Sequence, residues 1–339
     1  MLTAAGDPPP DVLSRGINVT HWFRYPPSRD PAALRAYMSD SALDGLKRIG
    51  FSFVRLPVQP DLLAVPGALS SAVSRIQRHG LAVVVALFAD GWRIEADPAE
   101  RQRLLATWHT LAPILRQFSR ATTFPEILNE PVFVGDAGGW ARLQHAALAE
   151  IRAAMPAHTI VLTGADWGSI SGLLAAPPEP DPRVVYSIHI YEPAELTALG
   201  AYRPGLDAKA MARLPFPVTE LAACQSIAAG ADDAPTADLM RFYCLQHWDV
   251  PKVTSRIEEA GAWGRLHHVR VLAGEFGASE RLNQSARLAW IRTVRQGSEQ
   301  AGIGWALWGY DDSMGFAVNP QEGLRDLDPQ LLGALGLNH

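Results

Sequence analysis

The stretch "LAVVVALF", residues 81–88, decides the fold. All of its residues are apolar, and a short run without polar alternation is typical of a strand that is buried on both faces. Strands of this kind belong to parallel sheets that are covered by helices. The run is far too short to cross a bilayer, which takes about 20 residues. No longer apolar run occurs, so we expect no membrane span.

Seven further runs of similar character are spaced along the chain. They are "GINVT" (16–20), "FSFVRLPV" (51–58), "TFPEILNE" (123–130), "TIVLTGA" (159–165), "VVYSIHIY" (184–191), "VRVLAGEF" (269–276) and "IGWALWGY" (303–310). The stretches between them, such as 30–50 and 140–155, have apolar residues at helical spacing. Alternation of strand and helix over eight runs predicts an α/β fold, the (β/α)8 TIM barrel. An open doubly wound sheet would need a glycine-rich turn after the first strand, and "NVTHWFRYPP" has no glycine.

The chain is expected to form a single domain, because α/β barrels commonly reach 339 residues as one unit. Residues 1–14 would form an N-terminal tail and residues 15–339 the barrel. The interval 192–268 is out of proportion to the others and is weakly periodic before a predicted helix at 251–266. It is predicted to be an enlarged loop after strand six, forming a wall or lid on the active face.

Composition excludes some partners and leaves the cysteines open. A hydrophobic share of 48% and a charged share of 19% are those of a soluble globular protein. The net charge of −5, with scattered arginines, argues against nucleic acid as a partner. Cys224 and Cys244 could form one disulfide in an oxidising compartment or remain free thiols. Two cysteines are too few for a structural zinc site.

Polar side chains stand where the predicted strands end, which is the face that carries chemistry in this fold. They are Arg55, Asn129, Glu130, His189, Tyr191, Glu275 and Trp308. Glu130 and Glu275 belong to runs four and seven, so the closed barrel would place them across its mouth from each other. Two facing carboxylates in different environments are what glycoside hydrolysis requires, one as acid/base and one as nucleophile.

Five short motifs resemble glycoside hydrolase family 5, the cellulase-like family of the retaining (β/α)8 clan. They are "FVRLPV" (53–58), "EILNEP" (126–131), "SIHIY" (187–191), "AGEFG" (273–277) and "WALWGY" (305–310). The resemblance extends from residue 15 to residue 312. It implies that Glu130 is the general acid/base, that Glu275 is the nucleophile, and that Asn129 hydrogen-bonds the sugar 2-hydroxyl.

The same resemblance implies roles for four more residues. Arg55 and Tyr191 would hold Glu275 ionised and oriented, His189 would line the reacting subsite, and Trp308 would be the floor beneath the sugar. The implied substrate is a β-linked polysaccharide or oligosaccharide of glucan or mannan type, cleaved by double displacement. Transfer to an acceptor sugar instead of water is an alternative. Neither a cofactor nor a metal is expected.

One position departs from the family pattern. The family usually has a histidine at the end of strand three, and this chain has Phe88 there. Either Asp90 or Trp92, which follow closely, would then take over sugar contacts, or the −1 subsite would be built differently. Trp22, in the loop after the first strand, is a further candidate for contact with the substrate.

Two other classes of function are considered. "GSISG" (168–172) matches the G-x-S-x-G pattern of serine esterases, with Ser171 as nucleophile, but it begins several residues past its strand and precedes a poor helix. A carbohydrate-binding barrel without catalysis is the other class, and the presence of both glutamates argues against it. The protein is expected to be a monomer, secreted or periplasmic, although residues 1–11 lack the features of a signal peptide.

Overall fold

Eight parallel strands close into a barrel in chain order, and the last pairs with the first. The computed structural model describes residues 12–319 and 327–337. The strands are β1 Arg15–Asn18, β2 Phe53–Val58, β3 Ala82–Leu87, β4 Thr123–Glu126, β5 Ile160–Thr163, β6 Val184–Ile190, β7 Arg270–Phe276 and β8 Gly304–Trp308. Each overlaps the run predicted for it, so the predicted (β/α)8 barrel is confirmed. Most of the predicted N-terminal tail, residues 1–11, lies outside the described residues.

Helices surround the barrel. They are α1 Pro31–Ala36, α2 Asp40–Ile49, α3 Ala68–Arg78, α4 Pro98–Leu115, α5 Ala137–Ala154, α6 Ala165–Gly168, α7 Ile170–Ala175, α8 Ala194–Thr197, α9 Ala208–Met211, α10 Leu221–Ala229, α11 Ala234–Gln246, α12 Val250–His267, α13 Gln284–Gln300 and α14 Pro329–Leu335. A 3-10 helix, Pro60–Ala64, follows β2. None of the helices in the described ranges is both long and apolar enough to span a bilayer.

Helix α2 shows how local sequence sets these elements. The Ser39 side chain accepts a hydrogen bond from the backbone N–H of Ala42, which satisfies one free donor at the helix start. Gly50 ends the helix with a φ of 112°, a left-handed conformation that glycine adopts without steric cost. Leu43 and Leu46 lie one turn apart and are buried against the barrel.

The inside of the barrel is layered. At the N-terminal end of the strands lies an apolar layer that includes Phe53, Ala82, Val84, Phe124, Val161, Val185, Leu272 and Ala306. Side chains alternate between the two faces of a strand, so the next inward positions on β2 and β4 after Phe53 and Phe124 are Arg55 and Glu126. Both are fully buried. A charged layer therefore lies directly above the apolar one and supports the mouth of the barrel.

The segment between β6 and β7 is more helical than its weak periodicity predicted. It contains α8 to α12, and a disulfide between Cys224 and Cys244 joins α10 to α11 with a Cα–Cα distance of 5.7 Å. Phe242 and Leu245 on α11 are 50% and 62% exposed. Apolar residues on the solvent side blur the helical pattern, which explains why the sequence did not show it.

Candidate active site

Glu130 and Glu275 come together at the C-terminal mouth of the barrel, with His189 beside both. One carboxylate oxygen from each glutamate and a ring nitrogen of His189 all lie within 4.8 Å of one another. His189 Nδ1 is 2.9 Å from Glu130 Oε1 and 3.5 Å from Glu275 Oε2. Residues from β6, β7 and the loop after β4 thus form one compact polar cluster.

A bulge in β7 aims Glu275 into the mouth. The pairing of β6 with β7 matches His189 to Glu275 and skips Gly274, and an extra residue of this kind re-aims the side chain that follows it. A Cβ at Gly274 would lie 2.2 Å from Ser187 Oγ, so only glycine fits there without a shift. The carbonyl oxygen of Gly274 accepts a hydrogen bond of 3.0 Å from Asn18 Nδ2.

Arg55 lies at the centre of the charged layer and connects its other members. Its side chain is fully buried and sits between two carboxylates. It donates to Glu126 through Nε at 2.7 Å and Nη2 at 2.6 Å, and to Glu275 through Nη1 at 2.5 Å. It also donates to the Oδ1 atoms of Asn18 and Asn129 at 3.0 and 2.8 Å. These bonds match the five N–H donors of a guanidinium group. Burial alone would lower the pKa of Arg55, but Glu126 and Glu275 raise it.

Tyr191 and His189 complete the surroundings of the two glutamates. Tyr191 Oη donates a hydrogen bond of 2.9 Å to Glu275 Oε2. Burial, together with the charges of Glu275 and Glu130, raises the pKa of Tyr191 well above its usual value, so the hydroxyl remains a donor. Burial would lower the pKa of His189, but the charge of Glu275 and the hydrogen bond to Glu130 outweigh it and raise the pKa.

Glu130 has a different setting from Glu275. Strand β4 ends at Glu126, so Asn129 and Glu130 lie in the loop beyond it and not in the strand as predicted. The loop is tied to the end of β3 by a hydrogen bond of 2.8 Å from Asn129 N to Leu87 O. Glu130 has a φ of 44°, a strained left-handed conformation for a residue with a side chain. Its side chain is 35% exposed, against 4% for Glu275.

Asn129 presents a donor to the cleft. Arg55 can only donate, so the atom of Asn129 that faces it must be Oδ1. The Nδ2 amino group of Asn129 then points away from Arg55, and the side chain is half-buried at the mouth. An amide donor that is held in this way can bind a hydroxyl group next to Glu130.

The aromatic residues predicted to contact sugar have three different settings. Trp308 closes β8 and is 6% exposed, with its ring stacked on Phe88 at a centroid distance of 6.0 Å. Trp92 is half-buried and lines a cleft beside Glu130. The guanidinium carbon of Arg103 lies 4.0 Å from the centroid of its ring.

Trp22 does not have the predicted setting. It lies wholly in the hydrophobic core, and its Nε1 donates to the Leu34 carbonyl at 2.7 Å. It has no ring face open to a ligand, so the expectation of a sugar contact at Trp22 is corrected. Trp167, after β5, instead lines the same cleft as Trp92 and is 51% exposed. Its place in a loop after a predicted strand was the only sequence signal for it.

Sequence reasoning missed Glu126 and Asn18, the two buried partners of Arg55 in the barrel wall. A signal for Glu126 was present, because it follows Phe124 by two positions on a strand whose inward face is apolar. A buried arginine needs a carboxylate partner, and Glu126 is the inward acidic residue of a neighbouring part of the barrel. Asn18 carried no comparable signal.

The other chemical groupings have weaker support. Ser171 lies in α7, and its Oγ accepts a hydrogen bond of 3.0 Å from Arg256 Nη2. Within the described part of the chain, no histidine forms a hydrogen bond with Ser171, so the esterase interpretation lacks its base. The donor atoms of Glu130, His189 and Glu275 are close enough to share a cation. Arg55 already donates to Glu275 and balances part of its charge, which weakens the case for a cation there.

Comparison with known proteins agrees with this geometry. A profile of cellulase, glycosyl hydrolase family 5, matches residues 14–313. Endoglucanase 3 of Fibrobacter succinogenes is 24% identical over 340 residues, which cover 91% of this chain and 51% of that protein. The chain therefore spans about half the length of this curated relative.

Solved structures of similar fold cover nearly the whole chain. Cel5A of Thermotoga maritima, in complex with mannotriose, has a TM-score of 0.76 at 23% identity and covers 97% of this chain and 100% of that chain. Cellulose synthase subunit Z of Clostridioides difficile has a TM-score of 0.72 at 21% identity, covering 95% and 99%. Because the family profile spans most of the sequence, the resemblance is confirmed: this chain belongs to the cellulase family, glycosyl hydrolase family 5.

Proposed function

We propose that the protein is a retaining β-glycoside hydrolase that cleaves a β-linked polysaccharide or oligosaccharide of glucan or mannan type. The observation that carries this proposal is the approach of the Glu130 and Glu275 carboxylate oxygens to within 4.8 Å. Inverting enzymes separate their carboxyl groups by about 6.5–9.5 Å to leave room for a water molecule, whereas retaining enzymes keep them about 5–5.5 Å apart. The observed pair suits direct attack by a carboxylate.

In the proposed mechanism, a Glu275 carboxylate oxygen attacks the anomeric carbon while Glu130 gives its proton to the departing glycosidic oxygen. The C–O bond to the leaving sugar breaks as the C–O bond to Glu275 forms. Glu130, now ionised, takes a proton from water, and the resulting hydroxide oxygen displaces Glu275 from the sugar. An acceptor hydroxyl in place of water would give transglycosylation.

The two environments support this division of roles. Glu275 is almost fully buried, and Arg55 and Tyr191 each hold one of its oxygens, which fixes the position of a nucleophile. Glu130 is partly exposed and is held by His189 alone among the described side chains, so both a leaving group and a water molecule can reach it. Asn129, beside Glu130, would bind the sugar 2-hydroxyl.

The substrate class is supported by the cleft and by what related proteins bind. The cleft beside Glu130 is lined by Trp92 and Trp167, whose faces can pack against the apolar faces of sugars beyond the scissile bond. Cel5A of Thermotoga maritima has also been solved in complex with cellobiose, and a xyloglucanase of similar fold in complex with a heptasaccharide. These sugars define the compounds to test and do not themselves assign the substrate.

Product analysis on a panel of oligomers tests the proposal. The panel contains cellulose, mixed-linkage glucan, β-1,3-glucan, mannan and xyloglucan oligomers, and proton NMR follows the anomer that forms first. We expect hydrolysis of at least one with β product first, and loss of activity in Glu130→Gln and Glu275→Gln. Glu150→Gln, which changes an exposed glutamate that also pairs with a histidine, is the matched control. Initial α product, or full activity in both active-site variants, would refute the proposal.

The same variants separate an enzyme from a carbohydrate-binding barrel. Glu275→Gln is expected to lose hydrolysis while it still binds the preferred oligomer, because the amide keeps the shape of the site. If the unchanged protein binds oligomers but hydrolyses none of the panel, the binding function is the correct one.

A further inference from the structure

Arg24 lies over the aromatic residues at the floor of the active site. Its guanidinium carbon is 4.5 Å from the ring centroid of Phe88 and 5.6 Å from that of Trp308. Phe88 directly follows β3 and is 1% exposed. A sugar ring that approached Trp308 from the mouth of the barrel would therefore meet the guanidinium group of Arg24.

Asp90 holds Arg24 in this place. It accepts hydrogen bonds from Arg24 Nε at 2.9 Å and Nη2 at 3.2 Å, and from the Tyr25 hydroxyl at 2.6 Å. The Gln59 side chain donates to the same carboxylate. One aspartate thus joins the loops after β1, β2 and β3, which gives Arg24 a defined position on a surface that is otherwise made of loops.

Part of the Arg24 guanidinium remains available. Nε and Nη2 are used by Asp90, whereas Nη1 has no hydrogen-bond partner among the described residues. The side chain is 21% exposed, so the free donors are partly shielded from water. Hydrogen bonds from a charged donor at such a site are stronger than those from a neutral donor.

We propose that Arg24 is a specificity-determining residue, which donates hydrogen bonds from Nη1 to hydroxyl groups of the sugar bound over Trp308. This inference rests on the proposed function. The ligand that fits is a neutral sugar, because Asp90 already balances the charge of Arg24 and Glu275 lies nearby. A carboxylated sugar would be repelled by these two acidic residues. Arg24 would therefore supply the polar contact that Phe88, at the end of β3, cannot make.

Binding measured without turnover tests the inference. Calorimetry in the Glu275→Gln background uses cellotetraose and mannotetraose as probes. Arg24→Ala is expected to raise the Kd of the tighter-binding probe about tenfold or more, the loss expected for hydrogen bonds from a charged group. Arg24→Lys keeps the charge but not the planar guanidinium group, and its Kd should lie between those of the Arg24 protein and Arg24→Ala. Asp90→Asn should raise Kd by a smaller factor, and have no further effect once Arg24 is alanine.

The control is Arg29→Ala, because Arg29 lies in the same loop and is exposed in an ion pair with Asp61. It should leave Kd unchanged. An unchanged or lower Kd in Arg24→Ala would show that Arg24 only covers Trp308, and would overturn the inference even if Glu130→Gln and Glu275→Gln abolish hydrolysis. Absence of binding to both probes would also overturn it. Hydrolysis that survives both glutamate changes would instead refute the proposed function.

Discussion

The two glutamates at the barrel mouth have opposite surroundings. Glu275 follows a bulge within a strand, is buried, and receives hydrogen bonds from Arg55 and Tyr191. Glu130 lies in a loop beyond a strand, is partly open to solvent, and hydrogen-bonds only His189 among the described side chains. One carboxylate is thus fixed from several sides, and the other is left accessible.

This difference suits the two chemically identical groups to the different roles proposed for them. A nucleophile must be held in line with the carbon that it attacks, and rigid elements position groups better than loops do. An acid/base must reach a leaving group in one step and a water molecule in the next, which requires access. Variants of each glutamate and of its neighbours can show whether the surroundings or the residue type decide the proposed roles.

Replacing each glutamate by alanine should give the largest effects and should separate the roles. On polysaccharide, Glu130→Ala is expected to lose about 10²–10⁴-fold in rate, the usual contribution of an acid/base, and Glu275→Ala more. With a dinitrophenyl glycoside, whose leaving group needs no proton, the first step should persist in Glu130→Ala alone. Azide should restore turnover there and form a β-glycosyl azide. If Glu130→Ala formed the α-glycosyl azide and Glu275→Ala did not form it, the two roles would have to be exchanged.

Removing the cation of the buried layer should cost the most stability. Arg55→Met leaves the carboxylates of Glu126 and Glu275 buried without their shared partner. Breaking a buried ion pair from one side typically costs about 3–5 kcal/mol, which denaturant unfolding can measure. Arg29→Met removes an exposed pair instead and should change the unfolding free energy by about 1 kcal/mol at most. Equal effects in the two variants would contradict the buried-layer interpretation.

Filling the space at the bulge should disturb the Glu275 side selectively. In Gly274→Ala the new methyl group would overlap Ser187 Oγ, and overpacking of this kind typically costs about 1–3 kcal/mol. Activity should fall as well, because the bulge aims Glu275. The matched control is Gly274→Ala with Ser187→Ala, since the next contacts of the added carbon lie at 3.5 Å or beyond. If the double variant is no more active than Gly274→Ala alone, the clash with Ser187 Oγ is not what disturbs the bulge.

The smallest expected effect is the pH dependence contributed by His189. Its pKa is raised in the folded protein, whereas an unfolded histidine titrates near 6.5. The charged form is therefore stabilised by folding, and this stability is fully present below about pH 6.5 and is lost as the pH rises through the folded pKa. The thermal unfolding temperature should decline as the pH rises through this range, and His189→Gln should remove that decline. His109→Gln, at an exposed histidine, should leave the decline unchanged.

Much of the fold could be predicted because the barrel strands are short, apolar and separated by stretches with helical periodicity. Once "FVRLPV" is identified as a strand, the two-residue period of its side chains puts Arg55 on the same inward face as Phe53. The order of strands then places Glu130 and Glu275 at one mouth of the barrel. The five motifs further identified the family, which the match over residues 14–313 confirms. The apolar runs, the side-chain period and the motifs are all properties of short stretches of sequence, and the order of the strands follows from the order of these stretches along the chain.

Other details of the site could not be predicted, because they depend on groups that are far apart in sequence. The resemblance implied the contact of Arg55 with Glu275, but not its contact with Glu126, which joins residues 71 positions apart. The burial of Trp22 depends on packing of α1 against the first loop, and the disulfide depends on how α10 meets α11. The place of Arg24 over Phe88 is set by three separate loops.

The sequence by itself determined the barrel, the strand order and the mouth where the two glutamates meet, because hydrophobic period and strand spacing are local and repeat along the chain. Only the tertiary structure decided that Glu275 is buried and Glu130 accessible. That difference arises from a bulge, a left-handed loop residue and a buried arginine, and each of these takes its position from neighbours that the chain brings together only when the barrel closes.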